Sequence, residues 1–498
     1  MKFRPGLVAW GLVGLAVIMI VHSAFLQGGL LNYAKIVFIL SPFILMWIRK
    51  CESRWPVWAL AFSCWGDVVI PVYGLNKFPP MYILLGSIFI LQILDRTISG
   101  ERHRRALDGV DRMVLIMGLI IIARFIYDRP GFVFLGADKG GFTVSLAYIM
   151  GSLFYFTIRR VVATAVFERR QLPFIAISAV VCNIVLLLQR EADSQLFWVR
   201  TLVNEPAWLL GAALLSLLIT MPSSQRSMIK FYLFSFGLLA LGLISTYRSR
   251  SLFFLSEILM VSALVRKLKK TVLVLVVGGV VILPVMIAIS GGHLPGVASR
   301  ALSIFVKVDV SSIDKKYDQG ALGWEDNFRF QLVQLGWERI KKHPVTGNGF
   351  ALDVADAVFF YQTLGTQGRL IELHALGGAY HNSALALAVQ AGVPAAVLFL
   401  IITFAIPVRL FRGLAGTQDQ DLKVWGMMLL AAWCANTAMM LMNGGPTQFF
   451  NSMLLNGYMA ALWRFHLNKP TPVNSAGVVG RPEISRCRST DFRCTARG

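Results

Sequence analysis

Long apolar segments, repeated from the first residues to about residue 463, constrain this chain more than any other feature of its sequence. Each segment is about 15–27 residues long, near the length that an α-helix needs to cross the hydrocarbon core of a bilayer. Apolar residues make up 56% of the 498 residues and charged residues 15%, which is more apolar surface than a soluble domain can bury. The sequence therefore predicts an all-α polytopic membrane protein with about fourteen transmembrane helices.

The first apolar segment lacks a small-residue cleavage site and leads into further spans, so we interpret it as a span and not as a cleaved signal peptide. The predicted spans lie near residues 6–22, 30–48, 56–72, 80–94, 113–127, 141–158, 172–188, 205–221, 231–246, 252–265, 271–289, 382–408, 424–442 and 449–463. No internal repeat relates one group of spans to another.

The basic residues set the predicted orientation of these spans. The net charge of +22 could indicate nucleic-acid binding, but Lys and Arg occur in small groups between the apolar segments. With both termini in the cytoplasm, 30 of the 48 basic residues lie in cytoplasmic segments, 16 in external segments and two within spans. Cytoplasmic Lys and Arg hold membrane helices in one orientation. We therefore predict cytoplasmic termini and exclude a nucleic-acid partner.

One long external loop runs from about residue 290 to about residue 380. Within it, residues 327–342 repeat apolar side chains every three or four positions beside Arg339, Lys341 and Lys342, which predicts an amphipathic helix along the outer membrane surface. Residues 469–498 are rich in Arg, Pro and Ser, and we predict a disordered, basic cytoplasmic tail there.

External arginines are informative because the orientation of the spans does not require them. The planar guanidinium group pairs with two phosphate oxygens at once, so arginines that converge at the outer surface favour a lipid-phosphate ligand. Contact with ordinary lipid headgroups is the alternative for any one of them. The candidate binding residues are Arg200, Arg248, Arg250 and Arg329.

A histidine at the entry of a span is the candidate catalytic residue. Asn382 or Ser383 would cap the incoming helix and place His381 at its external end, where the helix dipole favours a neutral imidazole. A neutral imidazole can accept a proton from a hydroxyl group, although a histidine here can also be an interface residue. Upstream, Gly347 and Gly349 predict a tight turn, and His343 is assigned to that turn, so His343→Ala should lower the abundance of the chain.

These residues form an ordered set that resembles the signature region of the O-antigen ligase and O-antigen polymerase family. The resemblance covers residues 195–410. Two departures occur, Glu205 in place of a proline after Asn204 and Gly392-Val393-Pro394 in place of a Gly-hydrophobic-Gly ending. The set comprises Arg200 with Asn204-Glu205-Pro206, Ser249-Arg250-Ser251, Arg329, Trp337, His343-Pro344, Gly347-Asn348-Gly349, His381-Asn382-Ser383 and Gly392.

The resemblance implies a membrane glycosyltransferase with a GT-C-like fold. Such an enzyme moves a glycan from an undecaprenyl-diphosphate carrier to an acceptor hydroxyl on the periplasmic face of the bacterial inner membrane. The arginines would bind the diphosphate, and His381 would deprotonate the acceptor, with inversion at the anomeric carbon. Because the first external loop, His22–Gly29, has no acidic residue, we predict an enzyme that needs neither a metal nor a cofactor.

The predicted organisation follows from the resemblance. The ligase- or polymerase-like catalytic region, residues 195–410, includes the loop 290–380. It stands between N-terminal membrane helices, residues 1–194, and C-terminal membrane helices, residues 411–468, which the tail 469–498 follows. The implied partners are the lipid-linked donor, an acceptor glycan that is itself lipid-linked or is lipid A-core, membrane lipids, and further polysaccharide export components.

Three functions are compatible with these observations. A polymerase for an exopolysaccharide or O-antigen is our first interpretation, and a ligase that transfers to lipid A-core is the alternative within the family. A transporter or flippase would carry its functional charges near the bilayer midplane. The predicted spans contain few clear charges, whereas the candidate residues are external, which favours an enzyme. The intramembrane charges are Lys35, Asp67, Arg124 and Glu257.

Overall fold

The structure is a computed structural model, and the residues that it describes are helical with short connections and contain no strand. This confirms the all-α prediction for that part of the chain. The predicted spans 6–22 and 30–48, most of the external loop and the tail lie outside the described residues. The described residues are 55–63, 85–93, 107–128, 142–163, 165–189, 207–220, 225–244, 248–289, 330–350, 375, 380–442 and 444–468.

The helices follow the apolar segments of the sequence, with a short 3-10 helix, Arg169–Gln171, before α5 and a π-helical turn, Trp463–Leu467, after α14. We number them in chain order. They are α1 (Trp55–Ser63), α2 (85–93), α3 (Gly109–Asp128), α4 (Phe142–Ala163), α5 (Leu172–Gln189), α6 (Ala207–Thr220), α7 (Gln225–Ile244), α8 (Arg248–Leu264), α9 (Leu268–Ile289), α10 (330–342), α11 (Ser383–Ala391), α12 (Val393–Gly416), α13 (Gln420–Met442) and α14 (Pro446–Leu462).

Among the described residues, three helical segments have both the length and the apolar composition to cross a membrane: Val144–Ala163, Val393–Gly416 and Gln420–Met442. Two shorter apolar helices, Met228–Leu239 and Leu252–Leu264, accompany them. Along α12 the side chains of Val397, Ile401, Phe404 and Val408 are exposed at helical spacing, as a lipid-facing surface requires. A membrane location is thus consistent with the fold, while the count of about fourteen spans stays a prediction.

Helix α14 occupies the centre of the described fold, and every residue from Gln448 to Leu462 is buried. It packs closely against α4 at two glycines. A methyl group on Gly151 would lie 3.0 Å from the Phe449 ring, and one on Gly457 would lie 2.9 Å from the Tyr155 carbonyl oxygen. Small residues at such contacts let helix backbones approach closely within a membrane. The helices α11, α12 and α13 pack around the same central helix.

A partly buried ion-pair network ties the ends of α3, α4 and α14 together. Arg159 contacts Asp111 at 2.7 Å, and Arg464 contacts Asp108 at 3.2 Å and Asp111 at 3.4 Å. Burial raises the pKa of Asp108, but the hydrogen bond from the Asp111 N–H and the charges of Arg159 and Arg464 outweigh it and hold this pKa below its usual value. All these residues belong to the end that the sequence assigns to the cytoplasm.

The opposite ends of the helices also meet. The end of α3 contacts residues 349–350 of the predicted external loop, and Ser383 at the start of α11 contacts the turn before α14. The fold therefore groups together the segments that the alternating topology places on one side. Which compartment each side faces stays a prediction from the basic residues.

The topology prediction has a direct test. Alkaline phosphatase fused near residue 320 should be active, because residues 291–379 are predicted to face the periplasm, and a fusion after residue 470 should be inactive. Both fusions should be expressed at similar levels, as checked by immunoblot. The reverse activity pattern would place the candidate site in the cytoplasm and would remove the basis for a periplasmic enzyme.

Candidate functional site at the entry of α11

The amphipathic helix predicted over residues 327–342 is present as α10, over residues 330–342. Its inner face is buried through Leu332 and Ile340, which pack in one cluster with Tyr380 and Val389. Gly336 allows a close approach here, because a methyl group at this position would lie 3.1 Å from the Tyr380 ring. The helix is therefore fixed against the entry of α11.

The outer face of α10 is apolar as well. Phe330, Val333 and Trp337 are 68%, 45% and 56% exposed, and the neighbouring Lys341 and Lys342 are exposed too. An exposed stripe of this kind beside lysines is typical of a helix at a lipid surface. The exposed stripe therefore supports the prediction that α10 lies along the outer membrane surface.

A glycine-rich turn follows α10. The Gly347 N–H donates to the His343 carbonyl oxygen at 2.9 Å, and Gly347 and Gly349 have φ angles of +69° and +93°, which confirms the predicted turn. The side chain of His343 is exposed, so the turn depends on its backbone. The expectation that His343→Ala lowers abundance therefore loses its physical basis.

This turn docks where the predicted span 382–408 is interrupted. The structure divides that span at Gly392 into α11 and α12, which corrects the expectation of one continuous helix. Three backbone hydrogen bonds join turn and junction: Asn348 N–H to Val389 O at 2.6 Å, Gly349 N–H to Gln390 O at 3.0 Å, and Val393 N–H to Pro344 O at 2.8 Å. They satisfy polar groups that the helix break would otherwise leave unpaired.

A second anchor holds the turn from the side of α3. The Phe350 N–H donates to Asp128 Oδ2 at 2.7 Å, and Asp128 is paired with Arg124 at 3.0 Å. Burial raises the pKa of Asp128, against the lowering effects of the Phe350 N–H and of Arg124. Arg124 is thus engaged in a structural ion pair at the end of α3.

The entry of α11 is capped as the sequence predicted. The Asn382 side chain accepts hydrogen bonds from the N–H groups of Ala384 and Leu385, each at 3.0 Å. The hydroxyl of Ser383 donates to the Gly445 carbonyl oxygen at 2.9 Å and ties this entry to the turn before α14. Both anchors lie directly after His381.

His381 itself is half-buried and has a φ angle of +53°. This left-handed conformation is uncommon for residues other than glycine, and for L-residues it costs about 1–2 kcal/mol. Tyr380, on its other side, is fully buried and accepts a hydrogen bond from Arg339 Nη1 at 2.9 Å. The backbone is therefore anchored on both sides of a strained histidine.

Arg339 is the site residue that sequence reasoning assigned only to an amphipathic helix. Its partner Tyr380 is 41 residues away, so no local pattern predicts the pair. A weak signal existed, since Arg339 is one of the external arginines that the orientation of the spans does not require.

The structure describes two of the four arginines that the sequence analysis named. Arg200 and Arg329 lie outside the described residues. Arg248 and Arg250 belong to the first turn of α8, where the sequence predicted a tight connecting turn. Their convergence with His381 stays a prediction.

The comparison with protein families decides the assignment, because residues 210–400 match the O-Antigen ligase family. Residues 210–400 are therefore similar to the O-antigen ligase domain. The domain includes α7, α8, α9, α10, α11 and almost all of α6, and with them Arg248, Arg250, Arg339 and His381. The match confirms the resemblance that the sequence motifs indicated. No curated protein matches the chain.

The similarity to this family supports an enzyme of glycan transfer, and the family implies a lipid-linked glycan and a glycan acceptor as substrates. Within the part that the structure describes, no group of three or more His, Cys, Asp or Glu side chains could hold a metal ion. Metal independence stays a prediction.

Proposed function

We propose that this O-antigen ligase domain makes the chain a membrane glycosyltransferase of the bacterial inner membrane. It would transfer a glycan from an undecaprenyl-diphosphate carrier to an acceptor hydroxyl on the periplasmic face, as in exopolysaccharide or O-antigen polymerisation. The observation that carries the proposal is the strained, doubly anchored conformation of His381 inside the matched domain. Strain of this kind persists only where the surrounding structure enforces it, and it clusters at active sites.

The proposed chemistry uses His381 as the general base. The imidazole takes the proton of the acceptor hydroxyl while the oxygen forms a bond to the anomeric carbon of the donor glycan. The bond from that carbon to the diphosphate oxygen breaks, and undecaprenyl diphosphate leaves with the bonding electron pair. Attack opposite the leaving group inverts the configuration of the anomeric carbon.

The charge that develops on the diphosphate needs compensation. We assign this role to Arg250 and Arg329, with Arg200 or Arg248 assisting, because guanidinium groups pair with phosphate oxygens in a fixed planar geometry. The support is that both named arginines belong to the motif set and are predicted to be external. No metal ion enters the proposed reaction.

Arg250→Lys should retain only a small fraction of the transfer activity, because lysine keeps the charge but loses the bidentate pairing. Arg329→Lys should behave in the same way. The measurement is glycan transfer by purified chain in lipid nanodiscs, at matched protein amounts. Arg112→Lys, at an exposed arginine on the opposite side, is the control and should keep full activity. Normal transfer by both lysine variants at positions 250 and 329 would reduce these arginines to headgroup contacts.

The acceptor can be identified by analysing the glycans that accumulate in a strain lacking this protein. An accumulated single repeat on its lipid carrier indicates a polymerase, which is our proposal. Uncapped lipid A-core together with normal polymer indicates the ligase alternative. Build-up of the donor on the cytoplasmic face would contradict both and would favour a flippase.

A further inference from the structure

A buried carboxyl group lies inside the helical bundle. Glu257 of α8 is fully buried, and among the residues that the structure describes neither of its carboxyl oxygens has a hydrogen-bond partner. It lies within the apolar segment Leu252–Leu264, in the predicted span 252–265. Polar groups in such a position are rare and are often functional. The proposed transfer mechanism does not use it.

Three of the described helices meet near this carboxyl group. α8 packs along α13, and α6 contacts both of them. The backbone of α6 comes so close at Gly211 that a methyl group there would overlap Glu257 Oε2. Buried apolar residues lie beside this contact: Phe254 also approaches Gly211, and Ile258 and Ala212 are the chain neighbours of Glu257 and Gly211. The carboxyl group is therefore held at the contact between helices, away from the lipid-facing surface.

The charged groups on the neighbouring helices do not neutralise the carboxyl group of Glu257. α6 has no charged residue, and on α13 the titratable group within electrostatic range of Glu257 is the thiol of Cys434. The charged groups of α7, α8 and α9 lie at helix ends. They are Arg226 and Lys230 of α7, Arg248 and Arg250 of α8, and Lys269 and Lys270 of α9.

An ionised carboxylate in these surroundings is expensive, because a buried site among apolar side chains does not replace the hydration that the charge loses. A buried carboxyl group of this kind takes up a proton and becomes neutral instead. We propose that Glu257 is a proton-binding site between α6, α8 and α13, and that these helices pack in the observed way only when its carboxyl group holds a proton.

The position of Glu257 connects this site to the outer end of α8. Arg250 precedes it by seven residues, which places both residues on the same face of the helix, about 10 Å apart along its axis. Loss of the proton from Glu257 would loosen α8 at the height of its contact with Gly211 and so disturb the placement of Arg250. This last step rests on the proposed function, whereas the proton site itself does not.

The direct test is infrared spectroscopy of the full chain in lipid nanodiscs at about pH 7. The wild-type spectrum minus the Glu257→Gln spectrum should contain the carbonyl stretch of one un-ionised carboxylic acid. Glutamine is neutral and nearly isosteric, so this variant should fold normally and keep transfer within about twofold of the wild type. A difference spectrum with carboxylate bands, or with no acid band from folded protein, would overturn the proposal.

A second measurement follows from proton linkage. The folded chain holds the proton, whereas an unfolded glutamate releases it above about pH 4.3, so the unfolded state binds fewer protons and stability falls as the pH rises. Between about pH 6 and about pH 9, the Tm of the wild type should therefore fall more than that of Glu257→Gln. Cys434→Ala should retain the wild-type trend, which excludes the facing thiol as its source. Equal pH dependence in the wild type and in Glu257→Gln would contradict the inference, even if transfer activity were confirmed.

Discussion

His381→Ala should lower glycan transfer by about 10²–10⁴-fold, the usual loss when a positioned general base is removed. The chain should still insert and accumulate, because Asn382 caps α11 and Ser383 ties its entry to Gly445 without help from the imidazole. Binding of the lipid-diphosphate donor should persist, since that role is assigned to arginines. The measurement is single-turnover transfer together with donor binding, on purified protein.

A matched substitution separates catalysis from backbone strain at this position. His381→Gly also removes the imidazole, but glycine adopts the observed φ of +53° without a steric penalty. His381→Gly should be more stable than His381→Ala by up to about 1–2 kcal/mol and equally inactive. His343→Ala, at an exposed side chain of the neighbouring turn, should keep both stability and transfer.

Transfer by His381→Ala near the wild-type rate would remove the support for this residue as the base. Recovery of transfer in His381→Gly but not in His381→Ala would also contradict the assignment, because it would show that the backbone conformation matters and the imidazole does not. A third pattern, normal transfer with low abundance in both variants, would give His381 a purely structural role.

Local sequence signals predicted the parts of this site that depend on neighbouring residues. The cap at Asn382 and the glycine-rich turn at Gly347 and Gly349 use chemistry within a few positions of the chain, and the structure confirms them. The amphipathic pattern predicts the helix that the structure describes as α10, because a buried stripe through Leu332 and Ile340 requires that period.

Contacts between distant segments could not be predicted in the same way. Arg339 meets Tyr380 across 41 residues, and Arg464 meets Asp108 across 356 residues. Both pairs depend on how distant helices pack against each other, and the residues next to each member of a pair give no sign of that packing. In both cases the sequence pattern predicts only an effect of the charged residue on orientation or amphipathicity.

The helix break at Gly392 had a local signal that the apolar pattern concealed. The apolar residues continue from α11 into α12, so their pattern predicts a single span. Pro394 near the start of α12 and a glycine just before it are nevertheless typical of a helix that ends and another that begins. The departure from a Gly-hydrophobic-Gly ending marks this junction.

Gly392→Ala should destabilise the chain and abolish transfer, because two independent penalties act at this residue. Its φ of +93° with ψ of 160° is a conformation that only glycine adopts easily, and it costs other residues about 1–3 kcal/mol. A methyl group here would also overlap the Val345 carbonyl group of the docked turn. If the glycine-rich turn separates from the junction of α11 and α12, three backbone hydrogen bonds break. The segment that holds α10 beside His381 is then no longer fixed.

Gly416→Ala is the matched control at the other end of the same helix, where a methyl group would meet no atom within 4 Å. Alanine should be neutral or stabilising there by up to about 1 kcal/mol, because it favours the helical conformation. Thermal unfolding in one detergent, proteolysis of residues 343–350 and the transfer assay compare the two variants. If Gly392→Ala unfolded at the same temperature as Gly416→Ala and transferred glycan equally well, the docked turn would not be what positions the candidate site.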